Sequence, residues 1–247
     1  MVIFFLEADD ITTVVQEYHS PYWSSFSSLN STLRTFTDFS SWIQHVLSWK
    51  KNKEVLKTIL RNHIQALPYP YPSLSWKLVL VGNALENGMP HTIHDLIILP
   101  LHCLHSSTLS ETLVHEQIHV LQKKNPRPFQ SLYRDIWKWT PISISFLTQY
   151  VPRSILDNHR ANPDTPHWWM FIHQSSTCWI PTAQFIPHAT SLLDVMYYYI
   201  ILSFPDYQYQ TMVPMKSKQG CYHVEEAVAV FLSQRIYKWD ATMYSKL

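Results

Sequence analysis

The chain has 247 residues, 46% of them hydrophobic and 15% charged, which is the make-up of a folded protein with a substantial core and excludes a disordered or low-complexity chain. Nineteen Lys and Arg against 18 Asp and Glu give a net charge of +1, so no broad positive footprint for a phosphate backbone is present and nucleic acid is not expected as a partner. With only Gly82, Gly88 and Gly220, neither a GxGxxG turn nor a phosphate-cradling P-loop can be assembled, and nucleotide enzymes of those types are excluded.

The opening MVIFFLEADD is a short apolar run with no basic residues before it and two aspartates where a cleavage site needs small neutral residues, so no signal peptide is expected. From 40 to 66, Trp42, Ile43, Val46, Leu47, Val55, Leu56, Ile59 and Leu60 recur at spacings of three and four and predict a helix that ends at PYPYP. WKLVLVG (76–82) and HDLIILP (94–100) are aliphatic, bounded by Gly or Pro, and predict strands of a small sheet. Thr108 and Glu111 then match a T-x-x-E capping box, and Pro126 follows Asn125, which delimits a helix over 109–124. Beyond it, PFQSLYRDIWKW and PISISFLTQY read as helical, RANPDTP (160–166) as an ordered loop, and WWMFI and CWIPTAQFI as strands. VMYYYIILSF (195–204) is the longest apolar run and falls short of the roughly 18 residues that span a bilayer, so no membrane partner is expected. A last helix is predicted over 224–237. Cys103, Cys178 and Cys221 are odd in number, far apart and without a CxxC pair, which points to a reducing, intracellular compartment. The expectation is a single α+β domain, with an N-terminal lobe (about 1–125) holding the sheet and the 109–124 helix and a mainly helical C-terminal lobe (about 126–247).

The chemistry is concentrated in TLVHEQIHVLQ, residues 112–122. On a helix, residues four apart stack on one face, so His115 and His119 can present two imidazole nitrogens to one ion at about 2.0–2.1 Å. Glu116 then lies beside the ion without binding it, the place from which a general base takes a proton from a zinc-bound water. The bland alternative is a hydrogen-bonded pair of core histidines in a chain that has 14 of them. Against it stand the delimited helix, the strand just before it, and Leu109, Leu113, Ile118 and Leu121 to bury the other sides.

These residues resemble the active-site helix of the zincin metallopeptidases, and HDLIILP resembles the substrate-binding edge strand that precedes it; the likeness covers roughly residues 76–126. More loosely, MPHTIHDLIILP, HEQIH, RANPDTP and HVEEAVA, in this order, are similar to HExxH proteins of large DNA viruses and some microbes. The resemblance implies a zincin-like fold, a zinc ion, and hydrolysis of peptide bonds in peptide or protein substrates with Glu116 as base. In gluzincin-like members the third ligand is a glutamate from a later helix, and YHVEEAVAVF offers Glu225 and Glu226. The spacing of 107 residues from His119 to Glu226 is far longer than in thermolysin-like enzymes, no Asp follows Glu226 by four, and the HExxHxxGxxH extension of metzincins is absent.

Helical phase favours Glu226, which lies about 40° from Val230 against about 140° for Glu225, so that Glu225 would reach solvent or a supporting position. Asp164 and His223 are the other possible third ligands. Asn162 and Asp164 stand in NPDTP, where an Asp in a Pro-fixed loop orients a ligand histidine through its second ring nitrogen or binds the metal itself, the alternative being an Asx turn. His159, Arg160, Tyr222 and His223 are candidate donors to a tetrahedral oxyanion. His91 and His94 flank the expected edge strand. A zinc-stabilised binding or structural protein without turnover is the alternative to a peptidase.

Overall fold

The structure is a computed structural model that describes residues 2–49, 54–68, 70–165, 167–215 and 223–233. The apolar VIFFL forms strand β1 (Val2–Leu6), followed by helices α1 (Ala8–Ser24), α2 (Ser28–Thr32), α3 (Phe39–Ile43) and α4 (Glu54–Gln65), and then strand β2 (Ser75–Val81). The single helix expected over 40–66 is therefore two. Val46 bridges Val81, the Leu47 N–H donates to Leu80 O at 2.8 Å, and the Gly82 N–H donates to His45 O at 2.9 Å. Residues 45–47 satisfy their backbone against β2, and that pairing overrides a helical spacing of apolar side chains.

Strands β3 (His91–Ile93) and β4 (Leu96–Pro100) complete a four-stranded sheet in the order β1-β2-β4-β3. β1, β2 and β4 are parallel, and β3 is antiparallel to β4. HDLIILP is thus not an edge strand: β4 is internal and fully buried, and the edge is β3, the strand that opens with His91. His94, at φ 52°, sits in the turn between them.

Helix α5 (Leu109–Lys124) spans the predicted range. Its start is not a capping box, however. Thr108 has φ −99° and ψ 14°, which is not the extended conformation that aims a cap hydroxyl at the first turn, and its side chain caps no helix N–H. It pairs instead with Ser106 Oγ at 2.8 Å. Leu109, Leu113, Val114, Ile118 and Val120 are buried, so apolar surface on several sides of α5 fixes it in place.

The chain continues through α6 (Pro126–Ser131), a π-turn over Leu132–Ile136, β5 (Trp139–Ile142), α7 (Ile144–Tyr150), α8 (Arg153–Asp157), β6 (Trp168–His173), β7 (Thr177–Phe185), β8 (Val195–Ser203), β9 (Tyr209–Pro214) and α9 (Val224–Ser233). Strands β5 to β9 pair in sequence order as an antiparallel meander. The expected mainly helical C-terminal lobe is corrected by this sheet. VMYYYIILS is rich in aromatic and β-branched residues and pairs along its whole length with β7, the environment such residues favour. One face of the sheet, with Met170, Cys178, Ile180, Ile200 and Leu202, is covered by Leu147, Val151 and Ile155. The fold is α+β in class.

Two compact units emerge. One comprises Met1–Ser24, Arg34–Pro126 and the described residues from Val228 onward; the other comprises Ser25–Leu33 and Arg127–Ala227. In the first, a fully buried polar network ties Arg34 Nε to Glu86 Oε1 (3.0 Å), Tyr22 Oη to the same oxygen (2.7 Å) and Arg34 Nη2 to Tyr22 Oη (2.7 Å). No helix among the described residues is long and apolar enough to cross a membrane.

Candidate metal centre

The two histidines of HEQIH lie one turn apart on α5. His119 is fully buried, His115 half-buried, and their Nε2 atoms approach to 3.1 Å with the rings edge to face. His119 Nδ1 lies 2.7 Å from Gln122 Oε1. An amide oxygen only accepts, so this partner places the proton on Nδ1 and leaves the Nε2 lone pair available. Glu116, between the two turns, is buried at 3% exposure.

Glu226 lies in the first turn of α9 and is buried. Asn162 Nδ2 donates to Glu226 Oε1 at 2.9 Å, while Asn162 Oδ1 accepts the Asp164 N–H at 3.0 Å. The Asx turn is present, and the residue that reaches a candidate ligand is Asn162 on a carboxylate, not an Asp on a histidine: the turn fixes the amide, and the amide fixes the carboxylate. The loop is held from behind by Asn30, whose side chain donates to His159 O at 2.6 Å and accepts the Ala161 N–H at 3.0 Å.

Among the described residues, His115, His119 and Glu226 form a group whose ligating atoms all lie within 4.8 Å of one another. The boundary between the two units falls inside α9, which is one continuous helix. The donor set suits a divalent borderline ion such as zinc. An ion 2.0–2.1 Å from each donor at the tetrahedral angle sets donors about 3.3 Å apart, close to the observed Nε2 separation. In the absence of an ion the same 3.1 Å contact is met by one imidazole N–H donating to the other.

The other sequence candidates fall elsewhere. Glu225 does not reach solvent: it is buried, accepts from His167 Nδ1 at 3.1 Å and lies 3.8 Å from His223 Nδ1. The helical phase that separated Glu225 from Glu226 left out His167 and His223, both of which meet the Glu225 carboxylate. His223 is buried with Nε2 2.9 Å from His167 O, and burial pushes its imidazole below its ordinary value despite the opposing pull of Glu225. His159 contacts Thr182 Oγ1 at 2.9 Å and packs its ring on Trp168, and the Arg160 guanidinium donates to Leu192 O. Asp164 is buried outside the ligating group. Tyr222 lies outside the described residues. His91 Nδ1 lies 3.1 Å from Met89 O, and His94 stacks on Tyr18 at 4.1 Å. Cys103 lies close enough to feel Glu116: burial first, and the Glu116 charge second, push its thiol up to about 11.

No protein-family model, curated protein or solved structure matches the chain. The reading of the site therefore rests on its own residues. Sequence reasoning passed over Gln122 and Asn30. A polar residue three positions after His119 on the same helix face was a usable signal for the first; nothing local marks the second.

Proposed function

We propose that the chain is a zinc-dependent metallopeptidase of zincin-like fold, in which His115, His119 and Glu226 hold the ion and Glu116 is the general base. The observation that carries this reading is the convergence of the three ligating side chains within 4.8 Å, with the carboxylate of Glu116 buried one residue from the first of them. A zinc ion held there supplies a Lewis acid and brings the pKa of water to about 7. The chain's own residues do the rest. Gln122 keeps His119 in the tautomer that ligates, and Asn162 holds the Glu226 carboxylate in its orientation. The Glu116 carboxylate takes the proton of the attacking water as its oxygen bonds to the amide carbon. It returns that proton to the amine nitrogen as the C–N bond breaks. The burial of Glu116 keeps bulk water from competing for this proton.

The test joins elemental analysis to one substitution. About one zinc per chain is expected, His115→Ala loses it, and Glu116→Gln keeps it while lowering cleavage of a peptide library by a factor on the order of a hundred or more. Zinc without cleavage in the wild type identifies a zinc-stabilised binding protein. A purified chain that is metal-free and binds no zinc on reconstitution identifies two core histidines.

A further inference from the structure

The turn that leads from α6 into β5 exposes what most of the protein hides. Arg127, Arg134 and Lys138 are exposed and make no ion pair among the described residues; Asp135 is the one acid in this stretch. Between the last two cations, Ile136 is 68% exposed and Trp137 is 37% exposed. This tip is not a loose loop. Tyr133 is buried against Trp169 with ring centroids 5.2 Å apart and against Phe129 at 6.4 Å, and the Trp137 N–H donates to Leu132 O at 3.1 Å. The π-turn is thereby pinned from inside, and Lys138, at φ 59°, swings the chain out of it into β5. Beside the tip lies an open groove of about 480 Å³, lined by Arg134, Lys138, Trp139, Thr140 and Pro141.

We infer that this turn docks the protein reversibly on an anionic phospholipid surface. Ile136 and Trp137 enter the boundary between headgroups and acyl chains, while Arg134 and Lys138 meet lipid phosphates and carboxylates at the level of the groove. An aliphatic residue at the exposed apex favours lipid over a nucleic-acid strand, because Ile136 offers no π-face to a base. The neighbouring Trp139 ring is already packed edge to face on Phe171 at 4.8 Å. The earlier expectation of no membrane partner came from the lack of a spanning run, and surface docking needs none.

Co-sedimentation of the full chain with phosphatidylcholine vesicles, with and without phosphatidylserine, tests this. Binding is expected only to the anionic vesicles. It falls about five-fold for each of Arg134→Gln and Lys138→Gln, and ten-fold or more for Ile136→Ser combined with Trp137→Ser. Val55→Ser, at an equally exposed apolar site on α4, is expected to bind as the wild type does. Soluble glycerophosphoserine should not compete at lipid-equivalent concentration, since the apolar tip needs a surface. The inference is overturned by wild-type binding to neither vesicle, by equal binding to both, by binding that survives the Ile136 and Trp137 changes, or by capture of oligothymidylate without vesicles. None of these results depends on zinc or on peptide hydrolysis.

Discussion

Replacing Gln122 with Leu removes the 2.7 Å acceptor from His119 Nδ1 while nearly conserving volume at a buried position. Loss of such an orienting partner typically weakens metal binding 10- to 100-fold, or about 1.4–2.7 kcal/mol. The effect separates from ordinary destabilisation because it appears only when zinc is present. At free zinc about 100-fold above the wild-type Kd, the ion stabilises the fold by about 2.7 kcal/mol. With Kd raised 10-fold that falls to about 1.4 kcal/mol, and with Kd raised 100-fold to about 0.4 kcal/mol. The metal-free protein should lose about 1–3 kcal/mol, the cost of taking the acceptor away from a buried donor. Urea unfolding with and without zinc, paired with competition against a fluorescent chelator, measures both quantities. Asn162→Leu, which strips the 2.9 Å donor from Glu226, is the parallel case on the opposite ligand. If both variants bind zinc within two-fold of the wild type while their metal-free stability drops, these bonds serve packing and the assignment of ligands around them fails.

Arg34→Met leaves Glu86 and Tyr22 buried without their cation and is expected to cost about 3–5 kcal/mol in chemical denaturation; a loss under about 1 kcal/mol would show that the network is not a structural anchor. The Cys103 thiol, pushed up to about 11, should alkylate more than about a hundred-fold more slowly than an unperturbed cysteine at pH 8, with the rate rising about ten-fold per pH unit toward 11. Glu116→Gln removes the repelling charge and should speed that reaction; peptide-resolved mass spectrometry showing a rate independent of both pH and this substitution would contradict the electrostatic coupling of the two groups.

What the sequence made legible follows from the range of the forces involved. Helix α5, strands β2, β4, β6 and β7 and the loop at Asn162 carry their signals within a few residues: apolar period, Pro and Gly boundaries, Asx chemistry. The HEQIH spacing is of the same kind, whereas helical phase did not separate Glu226 from Glu225, since both are buried and Val230 is not. Some failures lie where a distant partner decides, others in local backbone geometry that composition does not carry. Residues 45–47 have helical spacing but bond to β2, and VMYYYIILS says nothing about its own pairing until β7 and β9 are beside it. Thr108 matched a capping box in letters but not in backbone angles. The edge position passed from HDLIILP to the strand at His91 because a hairpin, invisible in composition, folds back upon β4.

The two bonds from Asn30 to the 159–161 backbone set an order of events during synthesis. Asn30 leaves the ribosome about 130 residues before the carbonyl and amide it serves. At the usual 5–20 residues per second, that is a wait of about 6–26 seconds, far longer than helix or hairpin formation takes. The segment Ser25–Leu33 therefore has to remain available, neither sequestered nor aggregated, while the whole of the first unit up to Pro126 is made. Its chemistry suits that wait: SFSSLNSTL is mostly short hydroxyl and amide side chains that water satisfies until the loop arrives. A circular permutant opened between Leu33 and Arg34 would deliver Ser25–Leu33 last and invert the schedule, so its yield of folded chain during cell-free synthesis, compared with the native order, reads out how far the NPD loop depends on a partner made so early.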